Sequence, residues 1–288
     1  MAVARSRDRS GAGSTGSTWS PTTAGLVVLG AFAAVLVGAL VAAVVLTAAG
    51  ADRQTGTGTL LGSAVAVAAT LLIVQRVAGR NPQSTAEQVG LRGMPVPRAA
   101  QLLVPAAAAI AVVVVVWGLL VDVNAALPAP DQITGARPID RLLDGGQARG
   151  AIDVDVGIVA GIVGLGVLGP WLAELVLRGV VLPALAAWRG PLVAGIVVSV
   201  LGLTTGVGVI VESDLYLCVL ALQGVLCLLY LNAGSLLPGI ALSSLVTGLA
   251  LAVSFDWSAP AAIVVAAACA AGSLGLTLAA VRGLALLD

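Results

Sequence analysis

The chain has 288 residues, of which 59% are hydrophobic and 10% are charged. A soluble globular domain carries about 25% charged residues, so this composition excludes that class and indicates a helical membrane protein. The formal charge is zero, which gives no reason to expect nucleic acid or another strongly charged partner.

Residues 1–23 are rich in Ser, Thr, Gly and Arg without apolar periodicity, so we predict that they form a disordered cytoplasmic tail. Beyond them, apolar runs long enough to cross a bilayer recur to the C-terminus. The sequence therefore predicts an all-α fold, a polytopic transmembrane helical bundle of about eight spans. The predicted spans are residues 24–49, 58–79, 99–121, 156–188, 191–211, 214–231, 235–254 and 259–285.

The first two spans make an N-terminal pair over residues 24–79, and the other six make a larger domain over residues 80–288. Two connections in this domain are long. Residues 80–98 contain a short amphipathic stretch that is expected to lie along the membrane interface. Residues 122–155 form an acidic, Pro- and Gly-rich loop, in which RPIDRLLD is expected to form a short surface helix.

The Arg residues predict the orientation of the chain. With the N-terminus inside, nine Arg residues lie on the inner side and four on the outer side, which is the positive-inside pattern. We therefore predict a multi-pass protein of the cell membrane, in contact with lipid and with both termini cytoplasmic. Four Trp residues near span ends are typical of an aromatic belt: Trp19, Trp117, Trp188 and Trp257.

The fourth span is interrupted by two prolines and carries two charges. Pro170 is expected to kink the helix one turn before Glu174, and Pro183 follows further along. Glu174 and Arg178 lie four residues apart on one helix face, in the order that favours an ion pair. Charges within a membrane indicate either a catalytic or transport carboxylate or a self-neutralised structural pair, and the spacing leaves both interpretations open.

The stretch PWLAELVLRGVVLPAL around this pair resembles the first motif of a family of intramembrane proteases, the CAAX-protease and bacteriocin-processing family (Abi, or type II CAAX prenyl endopeptidases). The family motif has Pro, two residues, Glu-Glu, three residues and Arg-Gly. Pro170, Glu174, Arg178 and Gly179 match this pattern, whereas Ala173 stands at the first Glu.

Two later stretches extend the resemblance, which places the motif region at about residues 156–255. VVSVLGLTTGV is similar to the second motif, with Leu201 at the Phe position and Thr205 at the His position. LYLNAGSLLPGIALSSLVTGLAL is similar to the third region, with Ser243 at the His position and Thr247 at the Asn position. EQVGLRG resembles the GLR segment that precedes a long apolar span in this family.

The resemblance implies that four groups of the family's catalytic apparatus are missing. In the family, the first Glu and the second-motif His activate water, and the third-region His and Asn stabilise the oxyanion. Here Ala173 cannot accept a proton, and Ser and Thr hydroxyls are not bases near neutral pH. Glu174 remains, but Arg178 is expected to keep it ionised and weakly basic. Ser243 or Ser244 acting with Thr205 as a nucleophile would still lack an activating His or Lys.

We therefore interpret the chain as a degenerate member of this family, a non-catalytic pseudoprotease that binds a membrane protein or peptide segment in the former active-site cleft. One alternative is a residual intramembrane peptidase, acting on CAAX-type proteins or leader peptides through Glu174. Another is a small transporter, although such folds usually show internal repeats and matched broken helices. The chain contains no His, and the site offers one carboxylate where zinc needs three ligands. No metal or cofactor is predicted.

Overall fold

The computed structural model describes residues 19–49, 56–78, 85–120, 156–205, 216–254 and 258–287. Over these ranges the chain forms nine helices and no strand, so the predicted all-α membrane bundle is confirmed. The helices are α1 Pro21–Ala48, α2 Gly56–Ala78, α3 Thr85–Gln88, α4 Val96–Leu120, α5 from Val156 to Arg189, α6 Pro191–Gly202, α7 Tyr216–Ala233, α8 Leu237–Ser254 and α9 Ala259–Leu287.

Five of these helices, α1, α2, α5, α7 and α9, are long and apolar enough to cross a bilayer. Three further apolar helices in the described part of the chain, α4, α6 and α8, are shorter over the residues that qualify. These eight helices correspond in order to the eight predicted spans. The ninth, α3, has four residues and lies in the connection between the second and third spans.

The first helix begins earlier than predicted, at Pro21. Ser20 caps it, because its hydroxyl accepts a hydrogen bond from the Thr23 amide at 3.1 Å, and Pro21 suits the first helical turn. Trp19 is buried, and its indole Nε1 donates to the Gln88 carbonyl at 3.1 Å. The predicted tail boundary at residue 23 is therefore too late. Residues 1–18 lie outside the described residues.

The aromatic belt is only partly right. Trp19 packs inside the bundle, whereas Trp188 is 57% exposed at the end of α5, with the Arg189 guanidinium 4.2 Å from its ring centre. The side chains of Trp117 and Trp257 lie outside the described residues. Trp19 differs from Trp188 because its indole N–H has a carbonyl partner within the protein and does not need the interface.

The first residues after α3, Val89 to Leu91, are also buried, where an interfacial stretch was expected. Val89 and Leu91 are buried, and the Gly90 carbonyl accepts from the Leu236 amide at 2.9 Å. The Ser235 hydroxyl donates to the Arg92 carbonyl at 2.7 Å. These bonds attach the segment to the connection between α7 and α8. The predicted outer loop, residues 122–155, lies outside the described residues.

Helix α5 is at the centre of the bundle, where it contacts α1, α2, α6, α8 and α9. Small residues allow this packing. A Cβ on Gly56 of α2 would collide with the backbone of Gly157 and Gly161 on α5. Across the α1–α2 pair, a Cβ on Gly38 would collide with the Gly62 carbonyl. The helix backbones therefore approach each other closely, as is common in membrane bundles.

Two π-helical turns, Val163–Leu168 and Leu177–Val181, divide α5 into three α-helical stretches. Each turn closes with a bond five residues back, from the Gly169 amide to Gly164 and from the Leu182 amide to Leu177. Pro170 and Pro183 follow directly after these two amides. A wide turn accommodates a proline ring, which lacks an N–H and would clash with the preceding turn of an α-helix.

Helix α6 ends at Gly202. The predicted fifth span, residues 191–211, is therefore helical over 191–202 and non-helical over 203–205, and residues 206–211 lie outside the described residues. Twelve residues extend only about 18 Å at 1.5 Å per residue. After Gly202 the backbone tightens, since the Thr204 and Thr205 amides donate to carbonyls three residues back. Both threonine hydroxyls donate to the same carbonyls, those of Leu201 and Gly202, which satisfies the helix end.

Candidate functional site

Glu174 and Arg178 form an ion pair within α5. Glu174 Oε1 lies 3.0 Å from Arg178 Nη1, and each side chain is 1% exposed. The pair meets because residues four apart lie on one face of a helix. Arg178 itself lies in the second π turn, Leu177–Val181. π turns within α-helices often mark functional positions.

The guanidinium of Arg178 also binds Gln223 on α7. Its Nη2 donates to the side-chain Oε1 of Gln223 and, at 3.4 Å, to the Gln223 carbonyl. The side-chain amide of Gln223 in turn donates to the Gly202 carbonyl at 3.2 Å. Sequence reasoning missed Gln223. The available signal was an amide within an otherwise apolar predicted span.

The second carboxylate oxygen of Glu174, Oε2, has no hydrogen-bond partner among the described residues. It points at Gly239 of α8, where an added Cβ would lie 2.9 Å from Oε2. Ser243, one turn further along α8, places its hydroxyl near the carboxylate but outside hydrogen-bond geometry. Glu174 thus faces helix α8 through a position that only Gly can occupy without a shift.

A cavity of about 650 Å³ lies between α1, α2, α5 and the end of α6. Three of the predicted motif positions lie on its wall: Ala173, Leu201 and Thr205. The other four, Glu174, Arg178, Ser243 and Thr247, are not among its lining residues. The structure therefore separates the predicted site into a group on the cavity wall and a group outside it, which contains the buried ion pair.

Ser243 and Thr247 belong to the internal bonding of α8. The Thr247 hydroxyl donates to the Ser243 carbonyl at 2.8 Å, and Thr247 is 1% exposed. Its neighbour Ser244 is buried, with its hydroxyl oxygen 2.7 Å from that of Ser273 on α9. Ser244 therefore links two helices, and the contact gives its hydroxyl a structural role.

The sequence of this region matches a known protein family. A family model described as type II CAAX prenyl endopeptidase Rce1-like matches residues 155–249. Over these residues, about a third of the chain, the protein is CAAX-protease-like. The match runs from α5 into α8 and includes all seven predicted motif positions, so the resemblance predicted from the motifs is confirmed. Searches of curated proteins and of solved structures gave no match.

Among the described residues of the CAAX-protease-like segment 155–249, those that line the cavity offer little that can transfer a proton. At its wall, Ala173 is inert, and the Thr205 hydroxyl already donates to the Gly202 carbonyl at 3.1 Å. The Glu174 carboxylate, next to Ala173 in sequence, is paired with Arg178, and Glu174 is not among the residues that line the cavity. Over the described residues, no group of three or more His, Cys, Asp or Glu side chains is placed to hold a metal ion.

Proposed function

We propose that this CAAX-protease-like protein is a pseudoprotease, which holds part of a membrane protein or peptide segment in the cavity without cleaving it. One observation carries the proposal. The cavity wall presents Ala173 and Thr205 where the resemblance places a Glu and a His, while the Glu174 carboxylate is buried in an ion pair outside that wall.

Peptide hydrolysis requires a base beside the attacking water and donors at the developing oxyanion. Glu174 is 1% exposed and bound to Arg178, so neither water nor a substrate carbonyl reaches it from the cavity. Thr205 can donate a hydrogen bond but cannot take a proton from water near neutral pH. The arrangement supports binding and opposes cleavage.

The size and lining of the cavity limit what it can hold. Most lining residues are apolar, and small ones recur, among them Ala31, Ala39, Gly62 and Ala173. An apolar cavity of about 650 Å³ with many small lining residues suits apolar side chains or a short stretch of a partner segment.

A residual peptidase is the second candidate, because Glu174 Oε2 lacks a hydrogen-bond partner among the described residues. An unpaired carboxylate oxygen is what a general base needs. Its burial against Gly239 argues against that role, since a water molecule would have to enter between α5 and α8. The assay that separates the two candidates therefore centres on Glu174.

The purified protein is expected to cleave neither prenylated CAAX peptides nor leader peptides. Each missing catalytic group typically costs about two or more orders of magnitude in rate, although such losses do not simply add. An active type II CAAX endopeptidase, assayed in the same detergent, is the positive control. A variant with Ala173→Glu, Thr205→His, Ser243→His and Thr247→Asn tests whether the missing groups suffice to restore cleavage.

Cleavage by the unaltered protein that disappears in Glu174→Gln would overturn the pseudoprotease proposal and establish the residual peptidase. Glu174→Gln keeps the side-chain shape and leaves no void beside Arg178, as Glu174→Ala would, so a folded but inactive Gln variant is informative. The binding half of the proposal is tested by in-cell photocrosslinking from positions 173 and 205. Crosslinking from position 192, an exposed residue of α6 outside the cavity lining, is the matched control.

A further inference from the structure

A continuous chain of polar contacts links the buried ion pair to the cavity wall. It begins with Glu174 Oε1 and Arg178 Nη1 at 3.0 Å and passes through the Arg178 contact with Gln223. The Gln223 amide then donates to the Gly202 carbonyl at 3.2 Å, and the Thr205 hydroxyl donates to that same carbonyl at 3.1 Å. The chain crosses from α5 to α7 and from α7 to the end of α6.

The chemistry of the amide fixes the direction of this chain. A guanidinium has donors only, so the Gln223 oxygen must face Arg178 and the Gln223 NH₂ group must face the Gly202 carbonyl. Glutamate at this position would offer acceptors only, and Met would offer no N–H or C=O group. Among side chains of this length, Gln alone satisfies both neighbours.

The anchored carbonyl lies where α6 stops. The last carbonyls of a helix have no partner within the helix, and Gly202 is the final residue of α6. Gly202 is buried, and a Cβ there would collide with the Gln223 side chain. Glycine therefore permits the approach that brings Gln223 to the helix end.

The end of α6 forms one side of the cavity, through Leu201, Thr204 and Thr205. We infer that Gln223 is a positioning residue, which transmits the position of the Glu174–Arg178 pair to this side of the cavity. The functional meaning of this link rests on the proposed binding role of the cavity. It also gives the ion pair a role in a protein whose described cavity lining contains no carboxylate or imidazole.

Hydrogen exchange measured by mass spectrometry tests this inference directly. The amides of Leu203, Thr204 and Thr205 are bonded to the last carbonyls of α6, so their exchange reports local opening of that end. Gln223→Met removes both contacts of the amide. Gln223→Glu, ionised beside Arg178, keeps an acceptor for Arg178, loses the donor to Gly202 and adds one negative charge, so it tests the second contact while the first is kept.

Both variants are expected to exchange about fivefold faster at these amides, the change that one lost buried hydrogen bond produces in an opening equilibrium. The matched control is Gln88→Met, because the Gln88 amide also donates to a backbone carbonyl at 3.2 Å, that of Ala78. The control is expected to leave exchange at residues 203–205 unchanged.

The inference would be overturned if both Gln223 variants exchanged at residues 203–205 at the same rate as the Gln88→Met control. An unchanged rate in Gln223→Glu alone would also overturn it, because the contact with Gly202 would then be unnecessary. Gln223→Glu retains its partner Arg178, so it decides the question even where Gln223→Met fails to fold. The measurement uses no ligand and no substrate. A negative result would therefore not affect the pseudoprotease proposal, which the cleavage and crosslinking assays test.

Discussion

Burial decides how Glu174 and Arg178 behave. Both side chains are 1% exposed, and an ion taken out of water is stable only when an opposite charge and hydrogen bonds replace the lost hydration. Arg178 finds these in Glu174 and Gln223. Among the described residues, Glu174 accepts a hydrogen bond of good geometry only from Arg178. Each of the two buried charges is therefore stable only while the other is present.

Glu174→Gln and Arg178→Leu test this dependence. Either single change leaves a buried charge without its partner, which costs about 3–5 kcal/mol. The double variant removes both charges, and we expect its thermal midpoint in detergent to lie above that of either single variant. Arg178→Leu and the double variant both leave Gln223 without its donor, so their difference isolates the charge of Glu174. Destabilisation equal to the sum of the two single effects would show that the residues are uncoupled.

The ion pair was predictable from sequence and its neighbour was not. Residues four apart meet on any helix, so the spacing of Glu174 and Arg178 predicts their contact. Gln223 lies 45 residues after Arg178, and their contact depends on how α5 and α7 pack. Helices with apolar faces can pack in many rotations, and the sequence pattern alone does not select one.

At the scale of elements, hydroxyl and indole groups fasten α5 and α8 to α9. Trp171 Nε1 donates to the Thr277 hydroxyl at 2.9 Å, and the Ser273 hydroxyl donates to the Val167 carbonyl at 3.3 Å. Ser273 also contacts Ser244 of α8. Val167 belongs to the first π turn of α5. Side chains of a neighbouring helix thus contact the backbone where α5 departs from regular α geometry, as is common in membrane helices.

Trp171→Phe is expected to weaken this attachment. Trp171 is fully buried, and loss of its bond to Thr277 costs about 1–2 kcal/mol, with a further loss from the smaller ring. Trp188→Phe, at the exposed end of the same helix, is the control and should change stability by less than about 0.5 kcal/mol. Adding Thr277→Val should cost less in the Trp171→Phe background than alone. Equal thermal midpoints for the two Trp variants would refute the attachment.

Helix positions were predictable because composition alone determines which segments enter a bilayer. The π turns of α5 and the early end of α6 were not. Both features depend on local hydrogen bonds that hydrophobicity does not predict. In the first π turn of α5, the amide before a proline donates to the carbonyl five residues earlier. At the end of α6, the Thr204 and Thr205 hydroxyls donate to the last carbonyls of the helix. Where residues are uniformly apolar, a run of hydrophobicity does not reveal where the helix stops.

For the whole molecule, the orientation in the membrane remains a prediction with a direct test. A Cys placed at Gln132 should react with a membrane-impermeant maleimide from outside the cell, and a Cys at Gln83 only from the cytoplasmic side. The three native Cys residues are first replaced, since Cys218, Cys227 and Cys269 are free thiols. Both test positions lie outside the described residues. Labelling at position 132 from the cytoplasmic side alone would reverse the predicted topology.

Two different parts of the chain line the cavity. Helices α1 and α2 contribute more of its described lining residues than the segment 155–249 does, and both helices lie outside the family match. Under the proposed binding role, most contacts that select a partner would therefore come from outside the matched segment. We predict that two proteins with the same matched segment and different first helices would bind different partners. Exchanging residues 21–78 between such proteins would be expected to transfer the choice of partner while leaving the ion pair and its attachments in place.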